Sequence, residues 1–332
     1  MRWNNLDMND IDSEFFNSVI TGNRATRMML TQGFLDSKVR DKNGVLWILE
    51  KYLSKGGMGK IYIAHKMNTP KQKVVIKMEE MKNNTLSTEI NVYQNILETT
   101  KLQKWKSMKK DIEFLHFPKM MGSGTFNFRD LRFRFLVIPK FPISLQNFMF
   151  KYNLKKLTLI EICQITKTLI NSLQFLHYNK YVHADIKSDN IVFLDENYDA
   201  LQIIMIDYGL AHLFDISKVI RKPMEKFNDG CSGTKHYCSI NAHTGVKACF
   251  VDDIESICYN IFEWVTGSLD WMRTNHRETL KKKKEFRTNY KNKLQIYKLT
   301  KFDFIFTVAY KTPYNEYPDY DLMIDNLYKL YT

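Results

Sequence analysis

The chain has 332 residues, 44% of them hydrophobic and 26% charged, a balance ordinary for a globular protein able to bury one large core or two lobes. No apolar run approaches the length needed to cross a bilayer, and the polar opening of residues 1–10, with Asp7 and Asp10, excludes a signal peptide. The formal net charge of +13 favours acidic partners such as nucleic acid, nucleoprotein or acidic proteins. The plainer reading of that charge is a solvated basic surface whose reach salt limits to about 8–10 Å. Five cysteines, Cys163, Cys231, Cys238, Cys249 and Cys258, form an odd set without a C-x-x-C pair. They read as reduced thiols of a cytosolic or nuclear protein rather than as a disulfide or zinc framework.

Residues 1–40 read as an N-terminal extension. Phe15, Phe16, Val19, Ile20 and Met28 leave a loose apolar stripe that predicts a helix over 11–34. Asp41-Lys42-Asn43-Gly44 is a turn signal, and strand-like text begins at Val45–Leu49. A glycine-rich turn follows at 54–59, then a strand over Lys60–His65, a break at Pro70 and a strand over Lys73–Met78. A helix is expected across Thr85–Thr100 and a buried strand across Phe133–Ile138. Beyond Pro142 the text becomes helical. Ile162, Ile165, Leu169, Leu173 and Leu176 mark a long core helix over Leu159–Tyr178. Short strands are expected at Ile191–Leu194 and Gln202–Ile206, and a second core helix at Asp252–Gly267, with Gly267 as its stop. The expected fold is α+β and bilobal. It comprises a domain over 41–330 with a small β-rich lobe (41–138), a hinge (139–142) and a larger helical lobe (143–330).

Chemistry concentrates in residues 183–190, His-Ala-Asp-Ile-Lys-Ser-Asp-Asn, and in Asp207-Tyr208-Gly209. Transfer of a phosphoryl group from magnesium-bound ATP needs a carboxylate to orient the attacking hydroxyl, a cation on the moving phosphate, and oxygen ligands for the metal. Asp185 is the expected base and aligner, Lys187 the cation, and Asn190 and Asp207 the Mg²⁺ ligands. His183 reads as a structural hydrogen-bonding residue of the loop.

The other parts lie where such a site needs them. Ser54-Lys55-Gly56-Gly57-Met58-Gly59, followed by Ile61, fits a strand–turn–strand over phosphates, with serine in the first glycine's place. Lys77, emerging from Val74-Val75-Ile76, suits the α- and β-phosphates, and Glu89 on the expected helix is its candidate partner. Glu79 and Glu80 sit too near along the strand for that role. Ile138 is expected behind the adenine, with the carbonyl of Pro139 and the amide of Phe141 as adenine contacts. Gly233-Thr234 stands at activation-segment distance. With Lys187 it favours a protein substrate and Ser/Thr specificity, and Tyr237 reads as packing. Ala184 replaces the arginine that in many kinases clamps a phosphorylated loop, so the loop is expected to order without modification.

These residues resemble the vaccinia-related kinases, beside the casein kinase 1 group. The matching text includes 55–62, Leu86-Ser87-Thr88-Glu89, Arg134–Ile138, 181–187, 207–211 and Gly233-Thr234. Further on it includes Ser239-Ile240-Asn241-Ala242-His243-Thr244-Gly245 in place of Ala-Pro-Glu, Asp253-Ile254-Glu255, Trp264–Gly267 and Trp271. The resemblance implies a Ser/Thr protein kinase using ATP and Mg²⁺, with chromatin and DNA-bridging proteins among typical substrates. It implies a cytoplasmic or nuclear location, and the host cytoplasm for a member encoded by a large DNA virus, which the Lys/Asn/Ile/Tyr-rich text suits. Departures are Ser54, Ala184 where the family usually has glycine, and Asn241, where a charge-assisted contact is expected to become a neutral one. Two other readings stand beside this one: a pseudokinase scaffold that binds partners without transfer, and a nucleic-acid contact prompted by charge alone.

Overall fold

The computed structural model describes residues 34–56, 59–109, 115–218 and 233–330. The expected helix over 11–34, Gly57 and Cys231 lie outside these residues, except for Phe34 at the helix's end. The chain divides into two compact units, residues up to 90 with 119–140, and 91–118 with 141 onward.

The first unit is an antiparallel sheet of six strands, β1 (Lys38–Arg40), β2 (Leu46–Gly56), β3 (Gly59–Lys66), β4 (Thr69–Glu80), β5 (Gly122–Phe128) and β6 (Leu131–Pro139), in the order β1-β2-β3-β4-β6-β5. Its core gathers Val39, Trp47, Leu49, Tyr62, Ile76, Phe133 and Phe135 around Phe34, whose ring meets those of Tyr62 and Phe133 edge-on. Each such side chain contributes about 1.5–3 kcal/mol by leaving water. The expected turn at 41–44 is present: Asp41 is buried and accepts the amides of Asn43 and Val45 and the indole N–H of Trp47.

β1 belongs to the sheet and Phe34 to its core, both within the expected extension of 1–40. Pro70 does not break the strand. It falls inside β4, where a register shift between His65 and Lys66 leaves no ladder partner for it. β5 is not among the expected strands, because Gly122-Ser123-Gly124 lowers strand propensity. Its alternating half, Thr125-Phe126-Asn127-Phe128, does show the pattern of a half-buried strand.

The expected helix over Thr85–Thr100 is two helices, α1 (Thr85–Asn95) and α2 (Thr99–Met108). The first stops where Lys101 Nζ takes the carbonyl of Asn95 at 2.6 Å, and Glu98 resumes in an extended conformation as the N-cap of the second. Residues 91–118 group with the second unit rather than with a lobe over 41–138. Trp105 of α2 packs on Phe175 and Tyr178, and Lys109 pairs with Asp321.

The second unit is built on α3 (Leu145–Lys151), α4 (Leu159–Tyr178), α5 (Ile240–His243), α6 (Phe250–Thr266), α7 (His276–Ile296), α8 (Asp303–Lys311) and α9 (Tyr320–Lys329), with two small ladders. α4 has the expected bounds. Its start is fixed by a capping box in which Thr158 and Glu161 satisfy each other's amides. α6 ends at Gly267, which takes the left-handed conformation (φ 85°) as the expected stop. β7 (Tyr181–Val182) pairs with β10 (His212–Leu213), and β8 (Ile191–Phe193) with β9 (Ile203–Met205). Cys163, Cys238, Cys249 and Cys258 are buried thiols. No helix among the described residues is long and apolar enough to cross a membrane.

Candidate active site

In the first unit, β2 and β3 meet at a tight hairpin where Gly56 faces Gly59. Gly59 has φ 155°, and a Cβ there would lie 2.3 Å from the carbonyl oxygen of Met78. Close packing on β4 therefore requires this glycine, whatever the loop covers. Ser54 pairs with Ile61, and Ile61 pairs in turn with Lys77 across β3 and β4. Lys77 Nζ meets both carboxylate oxygens of Glu89, at 2.9 and 3.0 Å. The carboxylate is 2% exposed and the lysine 13%, so the pair is shielded from the solvent screening that weakens surface bridges. Ile138 is buried opposite Val75, Pro139 closes β6 opposite Val74, and Phe141 is half-buried.

Glu79 stands too near Lys77 along the strand to be its partner on the helix. It has a role of its own. Buried at the end of β4, it accepts the amide of Leu86 at 3.0 Å and the hydroxyl of Thr85, satisfying the first turn of α1. It thereby sets the helix that carries Glu89.

In the second unit the loop from β7 to β8 holds Asp185, and both of its carboxylate oxygens are engaged. Oδ1 accepts the backbone N–H of Thr234 at 3.0 Å and its hydroxyl at 2.8 Å. Oδ2 accepts Lys187 Nζ at 2.7 Å and Asn190 Nδ2 at 3.0 Å. Lys187 also donates to Thr234 Oγ1 at 2.7 Å. The structure thus joins Asp185, Lys187, Asn190 and Thr234 in one network. The amide of Ile206 donates to the Asn190 carbonyl at 2.9 Å, which brings the end of β9 and the following Asp207 beside Asn190. Asp207 itself has φ 68°, and Tyr208 locks the turn by donating to the carbonyl of Met205 at 2.9 Å.

The loop is anchored from below by α6. Asp253 accepts the amides of His183 and Ala184 at 2.8 and 2.9 Å, and the Nε2–H of His177 at 2.9 Å. Burial alone would raise its carboxyl. The hydrogen bond from His177 and the amide of His183 outweigh this and hold it below the ordinary range. Burial lowers His177 in turn, so a neutral imidazole donates to Asp253 and accepts from the Tyr320 hydroxyl. Asn260 donates to the Ile186 carbonyl at 3.1 Å, and Trp264 Nε1 to Ser188 Oγ at 2.8 Å. Of these α6 residues, Asp253 and Trp264 stand in the text that resembles the family and Asn260 does not; no spacing along the chain assigns any of them to the loop. His183 matches its structural reading. It is fully buried, its ring lies against Tyr208, and Nδ1 accepts the Asp185 amide at 3.3 Å.

Two further expectations meet the structure around α5. Tyr237 is buried and donates to Glu263 at 2.8 Å, as packing requires. Asn241 donates to Asp252 at 2.9 Å. The expected neutral contact is therefore an amide on a carboxyl group, because the acid stands on α6 instead of at 241.

Among the described residues, no three His, Cys, Asp or Glu side chains gather as a self-sufficient metal site. The donor set fits Mg²⁺ completed by phosphate oxygens. Asn190 spends its Nδ2 on Asp185, so its amide oxygen and the carboxylate of Asp207 are the hard donors that would hold the ion.

The family model for the protein kinase domain matches residues 47–307. The chain belongs to the protein kinase family. Among its relatives, the serine/threonine-protein kinase VRK2 of Homo sapiens is 31% identical over 242 residues, covering 72% of this chain and 46% of that protein. The probable serine/threonine-protein kinase FPV226 of fowlpox virus (strain NVSL) is 30% identical over 288 residues, covering 85% of this chain and 95% of the viral one. Among solved structures, vaccinia related kinase 3 matches with a TM-score of 0.75 at 24% identity, over 92% of this chain and 95% of that one. This likeness shows the fold. The resemblance to the vaccinia-related kinases expected from the motifs is thus borne out. The chain spans less than half the length of the human relative, and 41% and 37% of two nematode kinases named VRK1.

Proposed function

We propose that the protein is a serine/threonine protein kinase that moves the γ-phosphate of ATP to protein hydroxyls. The observation that carries this reading is the network on Asp185. A carboxylate held by the backbone and hydroxyl of Thr234, with Lys187 on its other oxygen, can accept a hydrogen bond from a Ser or Thr hydroxyl and take its proton as the phosphate bond forms. Lys187 stabilises the charge of the transferring group. Thr234 joins base and cation, which suits a peptide hydroxyl more than a small-molecule one.

In the first unit Lys77, steadied by Glu89, binds α- and β-phosphate oxygens. Ser54, Gly56, Gly59 and Ile61 cover the nucleotide, with Ile138, Pro139 and Phe141 at the adenine. Asn190 and Asp207 would hold Mg²⁺, which when bound neutralises phosphate charge. Chromatin or DNA-associated proteins are the proposed substrates. Supports are the positive charge of the chain and a fruit-fly relative named nucleosomal histone kinase 1, 30% identical over 228 residues. A cytoplasmic or nuclear site of action follows from the same substrates and from the poxvirus relatives.

The test is transfer of radiolabelled γ-phosphate to casein and to a basic chromatin protein by wild type, Asp185→Ala and Lys77→Ala. Loss of one preorganised contact lowers the rate by on the order of 10²–10³. Equal labelling by all three proteins refutes the assignment. Nucleotide binding without transfer turns it into the scaffold reading.

A further inference from the structure

Lys283 places a charge inside the second unit. It lies on α7 and is 0% exposed. Its Nζ donates to the backbone carbonyl of Lys235 at 2.8 Å and to that of Cys238, lies 3.7 Å from Cys238 Sγ, and sits 5.0 Å above the Tyr259 ring. Taking an ammonium out of water is costly unless hydrogen bonds and ring faces replace the lost hydration, and here both do.

The two carbonyls belong to one turn. The amides of Tyr237 and Cys238 each return to the carbonyl of Thr234 at 2.9 Å, and Thr234 supplies both its N–H and its hydroxyl to Asp185. A continuous path therefore runs from α7 through Lys283, the carbonyls at 235 and 238, and the turn, to Thr234 and the base. Other tethers take one point each: Trp271 Nε1 donates to the His236 carbonyl at 2.8 Å, and Lys235 Nζ to the Thr274 carbonyl at 2.6 Å. Lys283 bridges the second and last residues of the turn. Burial and then the Lys283 charge push neighbouring His243 down to about 4, so the imidazole against Cys238 Sγ, 3.5 Å away, stays neutral and leaves the ammonium as the cation under the turn. Ala184 meanwhile cannot clamp a phosphate on the segment.

We propose that Lys283 is a positioning residue for phosphoryl transfer: its buried ammonium, held on the Lys235 and Cys238 carbonyls, fixes the 234–238 turn so that Thr234 keeps Asp185 and Lys187 aligned without a phosphorylated loop. The inference rests on the kinase reading.

The experiment compares phosphatase-treated full-length wild type, Lys283→Gln, Lys283→Met and a packing control, Leu294→Ala, also buried on α7. Steady-state kinetics and amide hydrogen exchange are measured on each. Gln keeps a neutral donor for one carbonyl, and Met keeps the length but no donor. The expected order of kcat is wild type, Gln, Met, with Met at least tenfold down and KM for ATP within about twofold. Exchange should rise in the peptide spanning 233–239 while α4 and α6 stay protected. Leu294→Ala should loosen α7 without that kcat loss. If Met does not fold, the comparison of Gln with wild type carries the same test. Wild-type kcat in the folded Lys283 variants overturns the proposal, as does loss matched by uniform exchange across the unit. An inactive wild type refutes the kinase reading instead.

Discussion

Asp185 accepts two donors from Thr234 and two from Lys187 and Asn190, so its orientation is set before any substrate arrives. Preorganisation of this kind is where active sites lower barriers most. Gly233 makes it possible. Its φ is 98°, and an added Cβ would lie 2.6 Å from the Ala184 carbonyl oxygen, a backbone atom that cannot swing aside. Gly233→Ala should therefore keep the fold, with a loss of about 1–2 kcal/mol from the left-handed backbone, yet lower kcat at least tenfold by displacing Thr234. Thermal melting with steady-state kinetics checks this, and an unchanged kcat would show that the Thr234 contact does not matter. Lys77, Glu89, Asp185, Lys187, Asn190 and Thr234 were legible because each sits at a recognisable spacing beside a strand, turn or helix. Asp253 and Lys283 were not. An acid in a helix and a lysine in a run of four carry no local mark of the loop carbonyls and amides they meet in space.

At the scale of elements, α1 is only as well placed as its first turn. Glu79 lends that turn its carboxylate, and Glu79→Ala should destabilise the protein by about 1–2 kcal/mol. It should also raise KM for ATP, because Glu89 moves with the helix. Kinetics of Glu79→Gln, which retains one acceptor, should fall between the two. α5 and α7 meet through His243, which donates to the His276 carbonyl at 2.9 Å and stacks on its ring at 3.9 Å. Burial first, and Lys283 second, lower His243 from 6.5 to about 4. Between those values the unfolded chain holds a proton that the folded one does not. Stability therefore rises with pH through that window and drains away as pH falls from 6.5 toward 4. Melting at pH 7 and pH 5 should show a larger loss for wild type than for His243→Gln, and equal losses would contradict the shift. Of the core helices, α4 was readable from its apolar stripe and α6 from its stop at Gly267. β5 and the division between α1 and α2 were not, since a glycine-led strand and a break set by Lys101 depend on partners far along the chain or around a bend.

At the scale of the molecule, a sheet of six strands carries Lys77, which meets Glu89, and a helical unit holds Asp185, Lys187, Asn190 and Thr234 in one network. The grouping of the chain into two units changes between Lys140 and Phe141, while the change of text falls after Pro142. What the text did not announce is that 91–118 belong to the helical unit, because Trp105 and Lys109 find their partners in α4 and α9. If these parts make a working phosphotransferase and not a scaffold with the same fold, nucleotide binding must be joined to transfer. The direct measurement is calorimetric binding of magnesium-ATP together with phosphoamino-acid analysis of a labelled protein substrate, on wild type and Asp185→Asn from parallel preparations. Nucleotide binding is expected for both proteins, with phosphoserine or phosphothreonine formed by wild type at a rate on the order of 10² or more above the variant. Binding by both with no transfer by wild type above the variant would contradict it.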